Sequence, residues 1–508
     1  MRRTIFGGAG TCVLVAFISC GACGAEGVQG KEPEPVVRET VLDWIVSLEK
    51  DLILEIPQVP PLCEKFEGEK RNVDVGECKL YCEVEGEGMP IVLLHGGPGA
   101  THHYFHPHFS RAKGFAKVIY YDQRGCGVSE YKRGSGYSLN QAADDLDNLR
   151  KALKIDRWVV LGHSYGGALA QYYAVRHPEK LAGLVLVCAS PAAPIELART
   201  RQYDFLSGEE AGRIASIHGN RSLTMAQRVY NAFLNGDWKR QEFYKPSREK
   251  VAQMALYEWK HDPEFRSCVG QEVYQLDLRG AFDACPIPTL ILEARWDLTW
   301  NTDKPRKLQA MHPRSKLVIF ERSGHSPFAD EPEQFFQALH QFVRDLPSVS
   351  EADVAKWKQL VADCQKKQEQ SLEYVVRHSS WGRESNARIV KALSMKQIDQ
   401  LNDTLVLLKV GFALYDYERY EDALTVFRKL EGAMGGGRNA AVALIWQGHM
   451  LDLLGRREEA VAVYKKVAEM KANGVMQHSQ FGLSYSPSPY AAERIKTPFV
   501  RVENQRQD

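Results

Sequence analysis

The sequence predicts an α/β protein followed by an all-α segment, and three observations carry that prediction. Between about Lys79 and Leu346, short β-branched apolar runs alternate with amphipathic stretches such as NQAADDLDNLRKAL. That rhythm means a mostly parallel sheet covered by helices on both faces. From Ala189 to Cys285 it is interrupted by helical periodicity rich in aromatics, with no convincing buried strand. An insertion at that point sits over the C-terminal edge of the sheet, where ligands bind in open α/β sheets. From Ser350 onward only helical patterns remain.

The elements follow in order. Arg2 and Arg3 precede a short apolar run, CVLVAFISC, and then GACGA. Residues 1–25 therefore read as a secretory signal, and the run is too short for a bilayer span of about 20 residues. Export to a periplasmic or extracellular compartment is expected, with a lipid anchor on Cys20 or Cys23 as a looser fit. Residues 26–70 read as an N-terminal helix and linker, with Val37, Val41, Trp44, Ile45, Leu48 and Leu52 at helical spacing and PQVPP ending it. Residues 71–188 form the first part of the sheet core, with strands at KLYCEVEG, PIVLLHGG, KVIYYDQ, RWVVLGHS and LAGLVLVCA. Residues 189–285 are the helical cap. Residues 286–346 complete the core with PTLILEARWD, SKLVIFERSGH and the helix EPEQFFQALHQFVRDL.

Residues 351–508 read as a helical domain with an internal repeat. GFALYDYERYEDALTVFRKL, beginning at Gly411, aligns with GHMLDLLGRREEAVAVYKKV, beginning at Gly448, at a spacing of 37. Ala423 matches Ala460 and Phe427 matches Tyr464. Small residues where paired helices touch, and an aromatic four after the second alanine, resemble a tetratricopeptide array of period about 34. The extra residues match the GGG at Gly435 to Gly437. The resemblance implies a docking surface for a protein partner.

Charge excludes some functions. Lys+Arg is 65 and Asp+Glu is 64, so no global field favours nucleic acid or anionic lipid. No basic block or zinc-type Cys/His spacing appears, so nucleic acid is not expected as a partner. Eight cysteines follow the leader, and export makes disulfides permissible. Cys63 with Cys78 or Cys82 is the best-placed local bridge, whereas Cys188 ends a strand and reads as a buried thiol.

The chemistry is carried by GHSYGG. A serine between Gly162 and Gly166, after a β-branched strand and before a small-residue helix, matches the nucleophile elbow. The tight turn exposes the Ser164 hydroxyl, and flanking glycines are required where a Cβ would collide with the neighbouring chain. Serine needs a base, and the base an orienting carboxylate. Asp297, at the end of TLILEARWD, and His325, in SGHSPFADEP, supply them in the expected chain order; Asp303 and Asp283 compete for the acid position. His102, His103, His106 and His108 are expected to line the mouth or the surface, not to replace His325 or to bind a metal. The oxyanion donors expected are the Tyr165 N–H and, from HGGPG, the Gly97 N–H.

HGGPG at 95–99, YYDQRGCGVS at 120–129 and GHSYGG at 162–167 together resemble the proline iminopeptidase branch of the α/β-hydrolases, over about Lys79 to Leu346. The resemblance implies release of an N-terminal residue, typically proline, from a small peptide substrate, without a metal or other cofactor. It also implies a cap carboxylate for the substrate's ammonium group. The segment VGQEVYQLDLRG makes Glu272 the candidate, ahead of Glu258 and Glu264. The cap matches poorly, and WNTDKP after Asp297 is unusual. Two alternatives stay open: an esterase or lactonase on the same fold, and a binding protein in which the repeats dock a partner and the hydrolase is vestigial.

Overall fold

The computed structural model describes residues 52–501 apart from position 135 and the segments 194–207, 300–303, 370, 378–382, 394–397, 400, 435–439, 471–475, 479–482 and 486. The expected leader and the helix of residues 37–51 lie outside the described residues. The chain divides near residue 370 into two compact units.

The first unit is built on an eight-stranded sheet of order β1-β2-β4-β3-β5-β6-β7-β8. Its strands are β1 (Glu69–Asp74), β2 (Lys79–Glu85), β3 (Met89–Leu94), β4 (Ala116–Tyr121), β5 (Trp158–His163), β6 (Leu181–Val187), β7 (Thr289–Ala294) and β8 (Lys316–Phe320). β1 and β2 pair antiparallel, β2 is antiparallel to β4, and the remaining pairs are parallel. β5 and β7 are buried along their whole length, as parallel strands covered on both faces must be. Alternation divides the core. Val92, Leu94, Val160 and Ile291 face one layer with helices α1 (Leu139–Ala152) and α2 (Tyr165–Arg176). Ile91, Leu93, Leu161 and Leu292 face the other, with Phe105, Phe109, Phe328 and Phe335.

β1 was not anticipated. Its sequence, EKRNVD, buries Val73 alone, as a charged edge strand does. It is followed by β2, in which Cys82 points into the α1/α2 layer while its neighbour Glu83 points to the opposite face. Cys78 shares the layer of Cys82, whereas Cys63 lies beside Glu83. The expected Cys63 bridge to Cys78 or Cys82 is therefore not formed: the partners are on opposite sides of the sheet, and all eight described cysteines are free.

The insertion between β6 and β7 is helical in its described part, with α3 (Gly208–Gly219), α4 (Met225–Leu234), α5 (Arg248–Gln253), a wide turn Met254–Glu258, and α6 (Pro263–Gln275). Val229, Tyr230, Phe233, Val251 and Met254 give it a small core of its own. The segment at residues 53–59 is laced to it: the Asn231 amide donates to the Ile53 carbonyl and accepts from the Ile53 N–H, both at 2.9 Å. After β7 come α7 (Lys304–Met311), β8 and α8 (Pro332–Arg344).

Helix α9 (Glu351–Glu369) differs from expectation. It belongs to the first unit, where Val354, Trp357 and Val361 cover Phe282 and the Trp357 indole donates to the Ala281 carbonyl at 2.7 Å.

The second unit contains α10 (Leu372–Arg377), α11 (Arg383–Ala392), α12 (Thr404–Asp416), α13 (Tyr420–Ala433), α14 (Ala441–Leu453), α15 (Arg457–Glu469) and α16 (Pro487–Lys496). It is not purely helical: a two-stranded antiparallel pair, β9 (Met476–His478) and β10 (Leu483–Tyr485), precedes α16. From α12 to α16 each helix packs on the next. A Cβ on Gly411 would stand 2.7 Å from the Phe427 ring, and one on Gly448 would stand 2.4 Å from the Tyr464 ring. The same glycine-on-aromatic contact thus closes the α12/α13 and α14/α15 pairs.

Candidate active site

Ser164 follows β5 at the turn into α2. Its backbone is held at φ 56° and ψ −121°, a left-handed conformation that costs a non-glycine residue on the order of 1–3 kcal/mol. The glycines around it have no alternative. A Cβ on Gly162 would meet the Gly166 carbonyl oxygen at 2.2 Å, one on Gly166 the Leu94 oxygen at 2.2 Å, and one on Gly167 the Ala189 Cβ at 2.3 Å. The turn is clamped further by the Ser164 N–H donating to Val187 O and by the Ser190 N–H donating to Ser164 O.

His325 lies on the loop after β8 and Asp297 on the loop after β7. Nδ1 of His325 stands 2.9 Å from Asp297 Oδ2. Because the carboxylate only accepts, the proton is on Nδ1 and Nε2 is the basic nitrogen. The other Asp297 oxygen accepts the Thr299 N–H at 3.0 Å, which fixes the carboxylate. Ser164 and His325 both line one cavity of about 1040 Å³ beneath the cap. Of the competing acids, Asp283 is exposed and Asp303 lies outside the described residues.

The HGGPG loop packs directly on the serine: a Cβ on Gly96 would be 2.9 Å from Ser164 Cβ. Gly97, at φ 117°, lines the cavity, and Tyr165 is the first residue of α2. Neither N–H donates to an acceptor among the described residues. The Gly96 N–H is occupied instead, donating to the Tyr104 hydroxyl at 2.7 Å.

Residues not singled out from the sequence hold this arrangement. His163 Nε2 lies 2.8 Å from the His325 carbonyl, so it carries the proton, and Nδ1 accepts from Tyr104 Oη at 2.9 Å. A single chain of contacts thus joins the His325 loop, the serine turn and the Gly96 loop. The DQRGCG segment braces the same region. The Gln123 N–H donates to His95 Nε2 at 3.1 Å, and the Tyr165 hydroxyl donates to Gln123 Oε1 at 3.1 Å. Arg124 makes a buried two-point pair with Asp145, both bonds at 2.8 Å. The signal for His163 and Tyr104 was weak: each is one polar ring in a motif dominated by a stronger residue.

The four histidines are not a surface cluster. His108 lines the cavity, whereas His102, His103 and His106 are buried against Asp122, Gln253 and Glu83.

The cap acids fall differently from expectation. Glu272 is not brought to the cavity. Its Oε2 accepts the Leu139 N–H at 2.6 Å, at the N-terminus of α1, where a helix dipole attracts a carboxylate. Glu264 accepts the Gly134 N–H at 3.0 Å. Glu258 does line the cavity, beside Lys250 and Glu242, which pair at 2.6 Å. Burial pushes the Glu258 carboxyl up to about 8, with Lys250 opposing and Glu242 adding. Ser164, His325 and Gly97 line one cavity, with Tyr165 next to the serine, and these are the residue types that acyl transfer uses.

Residues 89–332 match the family described as alpha/beta hydrolase fold. The proline iminopeptidase of Saccharolobus solfataricus is 28% identical over 287 residues, covering 54% of this chain and 90% of that protein. That of Thermoplasma volcanium is 26% identical over 271 residues, with 52% and 91% covered. That of Clostridium botulinum is 28% identical over 297 residues, with 53% and 92% covered. About half of this chain is thus a hydrolase of the α/β fold with proline iminopeptidase homologues, and the helices of the second unit lie outside the family match.

Proposed function

We propose that the first unit is a serine aminopeptidase that releases an N-terminal proline or a similar residue from short peptides, in an exported protein. Ser164 Oγ attacks the first peptide carbonyl as its proton passes to His325 Nε2. Asp297 stabilises the imidazolium, and the Gly97 and Tyr165 N–H groups receive the oxyanion. His325 then protonates the departing amine, and water, activated by the same nitrogen, releases the acyl group.

The observation that carries the aminopeptidase reading is Glu258. A carboxyl group facing the same cavity as Ser164 and His325 gives a neutral ester nothing, yet supplies a counter-ion to a substrate ammonium. With its pKa near 8 the group is largely protonated in the cavity at neutral pH, and a bound ammonium favours its ionisation. Glu258 therefore takes the role that the sequence assigned to Glu272. The second unit is read as a tetratricopeptide-like array that docks a protein partner; the matched Gly411/Phe427 and Gly448/Tyr464 contacts support this.

The test compares prolyl amides with a free and an N-acetylated amine in wild type, Glu258→Gln and Ser164→Ala. Ser164→Ala is expected to be inactive while remaining folded. Wild type should discriminate against the blocked substrate by roughly 10–100-fold, the worth of one hydrogen bond to a charged group. That preference should grow as pH rises from about 6 toward 8, since Glu258 ionises in that direction. Glu258→Gln should lose most of it. Equal turnover of blocked and free substrates by wild type would turn the reading to an esterase or lactonase.

A further inference from the structure

Three side chains that the proposed reaction does not use, Cys63, Glu83 and His102, bring their donor atoms together, and His106 lies against Glu83 beside them. Cys63 comes from the helical turn Leu62–Lys65, Glu83 from β2, and His102 and His106 from the loop after HGGPG. We propose that Cys63, Glu83, His102 and His106 are the ligands of one structural zinc ion.

The donor atoms are already gathered. Those of Cys63, Glu83 and His102 lie within 4.8 Å of one another. His102 Nε2 is 3.8 Å from Glu83 Oε1, and His106 Nε2 is 2.8 Å from Glu83 Oε2. Zinc bonds of about 2.0–2.3 Å put tetrahedral ligands roughly 3.3–3.8 Å apart, near the spacing of the Cys63, Glu83 and His102 donors, whereas His106 joins that set through Glu83 and must swing in to complete it.

The atoms facing that point are orphaned. Glu83 Oε2, His102 Nε2 and His106 Nε2 have no hydrogen-bond partner. Yet the three residues are 0%, 5% and 2% exposed. The 2.8 Å contact between His106 and Glu83 is near enough for a hydrogen bond but is not aligned as one. Buried polar atoms are nearly always satisfied, and three failing at one spot indicate a missing common partner.

The far sides of the same groups are held as metal ligands are held. His102 Nδ1 stands 2.8 Å from Asp122 Oδ1, the carboxylate-behind-histidine arrangement that fixes the ring with Nε2 toward the ion. Asp122 is itself fixed by the His102 and Val128 N–H groups at 2.8 and 2.9 Å. The Tyr81 hydroxyl donates to Glu83 Oε1 at 2.6 Å, and the His106 ring stacks on Tyr120 at 4.2 Å. Charge points the same way. Glu83 and Asp122 are fully buried, and Lys70, 3.8 Å from Glu83, is 40% exposed. A thiolate, two imidazoles and a carboxylate select zinc over magnesium or calcium, which take oxygen ligands. The ion would join the Cys63 turn to the loop bearing Tyr104, whose hydroxyl holds the Gly96 N–H beside the serine.

The test uses the full chain. Zinc is counted by mass spectrometry in purified protein, and the chelated protein is titrated with zinc chloride against a chromogenic chelator. One zinc per chain is expected, with its removal lowering the melting temperature. Tyr81→Phe should weaken binding by about 10–100-fold, as loss of an outer-sphere partner does, and Cys63→Ser and His106→Gln by more. Cobalt substitution should give thiolate-to-metal charge-transfer absorption that is lost in Cys63→Ser. The band should persist in Cys188→Ala, because Cys188, Asp297 and His325 form a second set of possible donors. Should Cys63→Ser fail to fold, His106→Gln and the wild-type cobalt spectrum decide. The proposal is overturned if neither purified nor titrated protein holds zinc. It is also overturned if zinc binds equally in Cys63→Ser and His106→Gln, or if the cobalt spectrum lacks the thiolate band.

Discussion

Gly324→Ala tests how the cap positions His325, the base of the proposed reaction, without touching any reacting group. Gly324 immediately precedes His325, and its N–H donates to Asp330 Oδ2 at 2.9 Å. A Cβ placed there would stand 2.2 Å from the Gln241 carbonyl oxygen, 2.7 Å from Phe243 N and 2.9 Å from Glu242 C. All three obstacles are backbone, so no side chain can swing aside. Ordinary C···O contacts begin near about 3.3 Å, so roughly 1 Å must open between the cap segment and the histidine loop. The same Gln241 oxygen accepts the His325 N–H at 2.5 Å, and the displacement therefore acts on the base itself. A misplacement of about 1 Å costs on the order of 10²-fold in rate. The assay is kcat for a chromogenic prolyl amide in Gly324→Ala, with Gly212→Ala as control because a Cβ at Gly212 meets nothing within 4 Å. Gly324→Ala should fall by about a hundredfold in kcat, with Gly212→Ala unchanged. A Gly324→Ala enzyme within twofold of wild type would show that the cap segment moves freely and does not position His325.

Two further outcomes are expected. Asp297→Asn should lower kcat by about 10⁴, near 5 kcal/mol of barrier, because Asn can leave His325 in the wrong tautomer; steady-state kinetics measure it, and a loss under tenfold would transfer the acid role to another residue. A chain ending at residue 370 should keep peptidase activity, whereas one ending at 350 loses the Val354, Trp357 and Val361 face and the bond to Ala281, with Trp357 alone worth about 3–5 kcal/mol. Urea melts of both chains check this, and equal stability would refute it.

Legibility in the sequence followed burial. The inner strands from β3 to β7 announce themselves because burial on both faces forces continuous apolar runs, as in WVVLGH and TLILEA. β1 was silent because an edge strand facing water needs no apolar face. The boundary at α9 was misread for a related reason. Its Val354, Trp357 and Val361 pattern states that the helix is amphipathic, and nothing local states which core it covers. Cys63 and the strand cysteines were paired on proximity along the chain, but alternation in β2 sends Cys82 and Glu83 to opposite faces.

The candidate site divides in the same way. Ser164, Asp297 and His325 stand out as candidates because backbone strain and strand ends dictate both residue type and place; the structure sets His325 against Asp297 and lines one cavity with Ser164 and His325. The cap acid does not stand out, because three carboxylates on neighbouring segments have equal claims until their partners are known. Glu272 and Glu264 each find a backbone N–H, at Leu139 and Gly134, and are thereby spent on structure. Glu258 follows the apolar run Met254, Ala255, Leu256 and Tyr257 and precedes Trp259, and that setting was the available signal. A carboxyl group placed among apolar side chains is either a cost or a device. Glu258 faces a cavity it shares with Ser164 and His325 and is driven toward its protonated form by burial, so in the proposed reaction it would become favourable to ionise when a cation enters. On the proposed aminopeptidase reading, that burden is what would make the site selective: a substrate ammonium would relieve it, and an uncharged chain end would not.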